Sequence, residues 1–179
     1  MSSILKPYTS LIDFVTGREV PNIGAEENRQ AVERYLVEQK GYDRTDITVD
    51  VVIALDVRGD IYRSQVDLVV TVDRVRFMVI KCAAGALGSW ERQTLAAARL
   101  LSDHQIPYAV VSDGKTALLT DSTTGKKIGE GLEAIPSKME ACRMLSTASL
   151  QPFPEERRER EGLIFRTYDR ESVNVQRNM

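Results

Sequence analysis

The chain has 179 residues, of which 42% are hydrophobic and 28% charged, with a formal net charge of −2 and a pI near 5.6. That size and composition suit one soluble globular domain with a sizeable core; with no apolar run near the roughly 20 residues of a membrane span and no charged leader with a cleavage site, no membrane association and a cytoplasmic location are expected. The charge gives no global pull toward nucleic acid, so any DNA affinity has to come from a few clustered lysines and arginines and is expected to be weak and salt-sensitive.

Residues 1–24 carry apolar side chains without a sustained period and are broken by Pro7, Gly17, Pro21 and Gly24. They predict an irregular lead-in with a short helical or strand piece at SLIDFV. A helix follows: Glu26 and Glu27 suit its positive N-terminal end, Val32, Tyr35 and Leu36 form its apolar stripe, and Gly41 fits a left-handed stop. From Ile47 to Val57 every odd position is apolar, a period of two that predicts a strand. Arg58 to Tyr62 then reads as a turn, Val66 to Val72 as a second strand, and Asp73-Arg74 as a tight connection into a third, Val75 to Lys81. The three strands predict an antiparallel meander.

Beyond the glycine-containing loop AAGALG, the segment SWERQTLAAARLLSD has helical spacing, with Ser89 as its N-cap. IPYAVVS, bounded by Pro107 and Gly114, predicts a buried strand laid parallel to one of the earlier three by the helical crossover. DGKTALLTDSTTGKKIGEG adds another strand with turns on both sides. SKMEACRMLS and PEERREREGLIFRTYDRES predict helices separated by the Pro152 to Pro154 break. The mixed charge run from Glu155 to Glu161 reads as a solvated, ion-paired helix face. There is no internal repeat. The simplest division is a lead-in over residues 1–24, a core over 25–135, and a helical C-terminal extension of the same domain over 136–179.

Two cysteines, Cys82 and Cys142, lie far apart without metal-ligand spacing, and Cys82 reads as a small buried residue at a strand end. The single histidine, His104, makes a histidine triad or multi-histidine metal site hard to build and reads as a solvated or capping group. The pair that carries chemistry is Asp67 and Lys81, fourteen positions apart at the ends of neighbouring predicted strands, where a carboxylate and an ammonium can meet in one cleft. A structural ion pair is the plainer reading of the same two residues. Trp90 and Tyr62 read as core or rim residues.

The order helix, three-strand meander, helix, strand, together with ENRQAVERYLVEQKGY, DLVV, RFMVIKC, WERQTLAAARLL and IPYAVVSDGKTALLTDSTTGK, resembles the PD-(D/E)XK nuclease superfamily. Within it, the stretch from about Glu26 to Lys127 is similar to the N-terminal nuclease-type domain of type I restriction enzyme R subunits and their short stand-alone relatives. The resemblance implies an α/β (α+β) restriction-endonuclease-like core, a mixed central sheet in the order αβββαβ flanked by helices. Since no GxxxxGK[ST] loop is present, it implies the nuclease-like module without a helicase motor. It also implies a Mg2+ (or Mn2+) centre in which Asp67 matches the strand-two acid and Lys81 the lysine that orients water or neutralises the transition state.

The acid expected two residues before that lysine is replaced by Val79. Some relatives move the missing acid to the following helix, where Glu91 stands here, or supply one from the first helix, where Glu26 and Glu33 are seven apart and share a face. Gln93 resembles a helix glutamine that some branches use near the site, although Ala97 replaces the tyrosine often paired with it. Helix-dipole preference alone accounts for Glu91 and Glu26, and surface charge for Glu33. The catalytic candidates are therefore Asp67, Lys81, Glu91 and Gln93, and the metal candidates Asp67, Glu91 and Glu26. Two functions are expected to compete: a metal-dependent DNA endonuclease with a relocated acid, and a non-catalytic module that keeps the fold to bind nucleic acid, a protein partner or a second copy. Val79 favours the second, because an apolar side chain offers nothing to a hard cation.

Overall fold

A computed structural model describes residues 7–177, with side chains described through residue 170. A short antiparallel pair, β1 (Ser10–Ile12) and β2 (Glu19–Pro21), precedes helix α1 (Glu26–Glu38). The main sheet has six strands in the spatial order β3 (Ile47–Val57), β4 (Asp60–Val72), β5 (Val75–Cys82), β6 (Tyr108–Ser112), β7 (Ala117–Asp121) and β8 (Lys127–Glu130). Every neighbouring pair is antiparallel except β5 and β6, which the crossover helix α2 (Glu91–Leu100) makes parallel. Helices α3 (Lys138–Thr147) and α4 (Glu155–Arg177) complete the described chain. The predicted meander, crossover and parallel strand are all present.

The hairpin turns follow their residues. Arg58 and Gly59, then Asp73 and Arg74, all take positive φ, the left-handed pairs of tight two-residue connections whose twist matches the strands they join. Gly41, at φ +77°, stands just past α1, as its predicted stop requires. At Gly114 a side chain is excluded outright: a Cβ there would come within 2.7 Å of the Ala31 Cβ, so the β6–β7 turn lies directly on α1. Asn28 of α1 also donates to the Ala83 carbonyl at 2.7 Å, holding the helix over the end of β5.

Several expectations need correction. The strand alternative for SLIDFV holds at Ser10–Ile12, but that strand pairs with a second, unexpected one, β2, and the segment after β6 supplies two strands, β7 and β8, in place of one. Ser89 does not cap α2; residues 87–90 form a 3-10 turn that runs into the helix at Glu91 without a side-chain cap. The second strand begins at Asp60, earlier than Val66, because the turn closes within Arg58 and Gly59. His104 sets a ring nitrogen 3.2 Å from the Arg76 carbonyl, so it is tied to the β5 strand.

The odd positions of β3 do not share one core. Ile47 packs with Val32, Leu36, Leu68, Val70 and Ile80 under α1, whereas Ile53, Leu55 and Val57 pack with Val66, Val69, Val79 and the α2 and α4 side chains. The ribbon of β3 and β4 therefore exchanges its buried face part-way along. Asp50 marks the exchange on β3 with φ +54°, and Asp67 falls opposite it, in the ladder step between Val49↔Leu68 and Val51↔Val66. One left-handed residue shifts a period-two pattern onto the opposite face of the sheet.

Candidate functional site

The face exchange coincides with the end of pairing between β4 and β5. Their ladder runs from Val72↔Val75 to Leu68↔Ile80, and beyond it the Asp67 carboxylate takes over: its Oδ2 accepts the Cys82 backbone N–H at 2.7 Å. The same oxygen lies 3.1 Å from the Lys81 Nζ, with both side chains about one-fifth exposed. Lys81 also places its ammonium 4.8 Å from the centre of the Trp90 ring, which desolvates one side of the charge and attracts it through the ring quadrupole. Asp67 and Lys81 thus share one cleft, walled by Val79, Gln93, Thr94 and Phe165. It encloses about 20 Å³, room for a water or an ion rather than a nucleotide.

Gln93 enters from α2 and is buried. Its Nε2 donates to Asp169 Oδ1 on α4 at 2.6 Å, while Asp169 Oδ2 accepts from the Tyr62 hydroxyl. Gln93 Oε1 is buried without a hydrogen-bond partner. Burial and the hydrogen bond to the Asp169 carboxylate push the Tyr62 phenol up to about 12, so it is a proton donor at neutral pH. Arg166 and Arg170 approach the Tyr62 ring at 5.9 and 5.7 Å, outside the set of side chains that line the cleft.

The other acids predicted for the site have different company. Glu26 Oε1 accepts from Arg29 Nε at 2.9 Å and Nη2 at 2.7 Å, and from Gln30 at 2.9 Å. Arg29 further pairs with Asp13 at 3.3 Å, Asp50 at 3.0 Å and Glu33 at 3.8 Å. Glu33 is not surface charge but fully buried. Desolvation first, and then the neighbouring Asp13 carboxylate, push it up to about 8. Glu91, in the first turn of α2, has no hydrogen bond or ion pair to Asp67 or Lys81 among the described residues. Cys82 is buried, as expected, and burial followed by the Asp67 charge drives its thiol well above the ordinary range.

Sequence reasoning missed the contribution of α4. Glu161, read as part of a solvated run, is buried and takes Arg92 on both oxygens at 2.6 and 2.9 Å and Arg99 at 3.1 Å. Asp169 is likewise buried against α2. A local signal existed only in the apolar residues Leu163 and Phe165 between them, which show that one face of the charged helix turns inward.

The donor set decides how well this cleft suits a divalent cation. Magnesium is held by one or two carboxylates with octahedral oxygen geometry. Here one carboxylate, Asp67, is occupied by a backbone N–H and a lysine, and the wall beside it carries the buried, apolar Val79. Among the described residues no three His, Cys, Asp or Glu side chains are grouped so as to hold a metal ion. The residues present do not fit a resident magnesium centre.

A mixed six-stranded sheet carrying an Asp–Lys cleft where β4 and β5 part, flanked by a helix on either face, defines the structural class of this domain. The chain belongs to the family described as the type I restriction enzyme R protein N terminus, which residues 24–136 match. It is also similar in fold to the fragment structure of a putative HsdR subunit of a type I restriction enzyme from Vibrio vulnificus YJ016, at 21% identity and a TM-score of 0.52. That match covers 68% of this chain and 25% of the other, so this chain spans about a quarter of that relative's length. No curated protein matches.

Proposed function

We propose that the chain is a PD-(D/E)XK-type nuclease module that has kept the fold and the Asp67–Lys81 pair but engages nucleic acid without cutting it. The observation that carries this reading is the single carboxylate in the cleft. Asp67 is spent on the Cys82 N–H and on Lys81, and Val79 supplies no second oxygen. A hydrolytic centre of this kind relies on a cation to stabilise charge on the attacked phosphate and to activate water, and the donor set to hold one is missing. What remains suits binding. Lys81 is partly exposed, and Arg166 and Arg170, on α4, stand beside Tyr62, so phosphate oxygens have charged donors to meet. The family's restriction-enzyme description is consistent with a nucleic-acid partner.

The test pairs binding with cleavage. Fluorescence anisotropy on single- and double-stranded DNA at low salt, in EDTA, is expected to show salt-sensitive binding that weakens in Lys81→Ala. Incubation with Mg2+ or Mn2+ is expected to leave the DNA intact. Metal-dependent cleavage by the wild type, lost in both Asp67→Ala and Lys81→Ala, would establish the opposite reading, an endonuclease with a relocated acid. Absence of DNA binding at any salt would transfer the role to a protein partner or a second copy, which the net charge of −2 favours.

A further inference from the structure

An open hollow on the α4 side, about 540 Å³, is lined by two arginines and three carboxylates, Asp56, Glu155 and Glu159, and has no surplus of positive charge. Its Arg58 and Arg158 face Glu159 and Glu155 at 3.6 and 3.7 Å. The neighbouring pocket differs. It measures about 420 Å³, within the roughly 300–1,000 Å³ of small-molecule sites, and is lined by four arginines, Arg92, Arg99, Arg157 and Arg160, against one carboxylate, Glu161.

That carboxylate acts as an internal brace. Buried Glu161 accepts Arg92 through both oxygens and Arg99 through one, and Arg99 also donates from Nε to the Ser122 carbonyl at 2.8 Å. Both guanidiniums are thereby fixed before any ligand arrives, with N–H donors left over, since a guanidinium carries five. Arg99 lies 5.3 Å over the Phe153 ring, which fixes its plane and gives the pocket an apolar floor. Arg157 and Arg160, one helical turn apart, are exposed and have no ion-pair partner among the described residues. The pocket therefore holds a surplus of positive charge beside the apolar side chains of Phe153, Pro154 and Ile164.

We propose that this pocket between α2 and α4 binds a phosphate-bearing ligand of nucleotide size, its phosphate on the Arg157–Arg160 side and its ring system toward Phe153 and Ile164. Arginine forks match phosphate oxygens bidentately, and a half-apolar wall distinguishes a nucleotide from a bare anion. The site is separate from the Asp67–Lys81 cleft and does not depend on how that cleft is read. The phosphate can come from a free nucleotide or from a nucleic-acid chain.

Isothermal titration of the full chain with ATP, with inorganic pyrophosphate and with a short single-stranded oligodeoxynucleotide tests this. Arg157→Ala/Arg160→Ala is expected to keep the thermal stability of the wild type and to weaken binding about tenfold or more, the loss of one or two charge-assisted hydrogen bonds. ATP and pyrophosphate binding identify a free nucleotide as the source; oligonucleotide binding alone identifies the chain backbone. Arg143→Ala, at an exposed arginine of α3 outside both the pocket and the cleft, is expected to leave pyrophosphate binding unchanged. No binding of any probe by the wild type, or equal binding by the double variant, overturns the proposal. So does loss of pyrophosphate binding in Lys81→Ala alone, which would place the anion in the cleft.

Discussion

Two charged regions meet where Asp50 and Asp67 lie opposite each other on β3 and β4, and they are built oppositely. Around Arg29, four carboxylates, Asp13, Glu26, Glu33 and Asp50, converge on one guanidinium. In the cleft, one carboxylate meets one ammonium, and the wall beside them is apolar. The acids that a metal centre would need are thus present in the chain but gathered under α1, where Arg29 holds them. The first region is a structural clamp joining the N-terminal hairpin, α1 and β3; the second is a half-open pair with donors to spare.

The largest effect should follow from removing the clamp. Arg29→Ala leaves the buried Asp13 and the largely buried Glu26 without their cation, and truncating one partner of a buried ionic network costs about 3–5 kcal/mol. Urea unfolding should report a loss in that range, with Lys81→Ala costing under about 1 kcal/mol by the same method, since its pair is partly exposed. Equal losses would dissolve the distinction between clamp and cleft.

Glu33 sharpens the same contrast through pH. Its carboxyl is held up to about 8 in the folded chain, by burial and then by Asp13, against an ordinary value of 4.5. Between those values the folded protein keeps a proton that the unfolded chain has released, so this group's contribution to stability falls as pH rises from about 4.5 to 8. Glu33→Gln keeps the shape and cannot ionise. Its melting temperature should decline less steeply than that of the wild type across this window, and parallel curves would show that Glu33 is not buried as an acid.

Restoring the absent oxygen probes the cleft from the other side. Val79→Glu buries a carboxyl among Val69, Leu95 and Phe165, at a cost of about 1–3 kcal/mol. In return Asp67 gains a partner, and Mg2+ should raise the melting temperature of the variant but not that of the wild type. Adding Asp67→Ala should remove that response. A variant indifferent to Mg2+ would show that the cleft is not a metal centre lacking one acid.

These regions were unequally legible in the sequence. Strand periodicity, the Asp73-Arg74 turn, the α2 crossover and the burial of Cys82 are local properties, and all can be read from the chain. The spacing of Asp67 and Lys81 places them on neighbouring strands, but the register set by the two-residue turn shifts by one residue between Val70 and Thr71, and that bulge, which the sequence does not announce, brings the two level. The placement of Glu161 and Asp169 is different in kind. Their partners Arg92 and Gln93 lie 69 and 76 residues away, and a run of alternating charges reads the same whether its cations are neighbours on the helix or arginines of another one. The β1–β2 pair of three residues each was too short to produce a period. Glu33 looked like surface charge because seven-residue spacing gives a face but not what covers it.

Asp50 is where an unbroken apolar alternation concealed a change of face, and it permits the smallest and most specific test. Its φ of +54° is tolerated by Asp and Asn but is costly for a β-branched side chain, by about 1–2 kcal/mol. Its ion pair with Arg29 is half-exposed on the Asp50 side, so loss of the charge alone should cost under about 1 kcal/mol. Asp50→Asn should therefore be nearly neutral, Asp50→Gly similar, and Asp50→Val clearly destabilised. If strand propensity decided instead, Asp50→Val would be the most stable of the three, because valine favours extended backbone. That outcome would place the odd residues of β3 on one face, and it would remove the geometric reason for Asp67 to reach the end of β5.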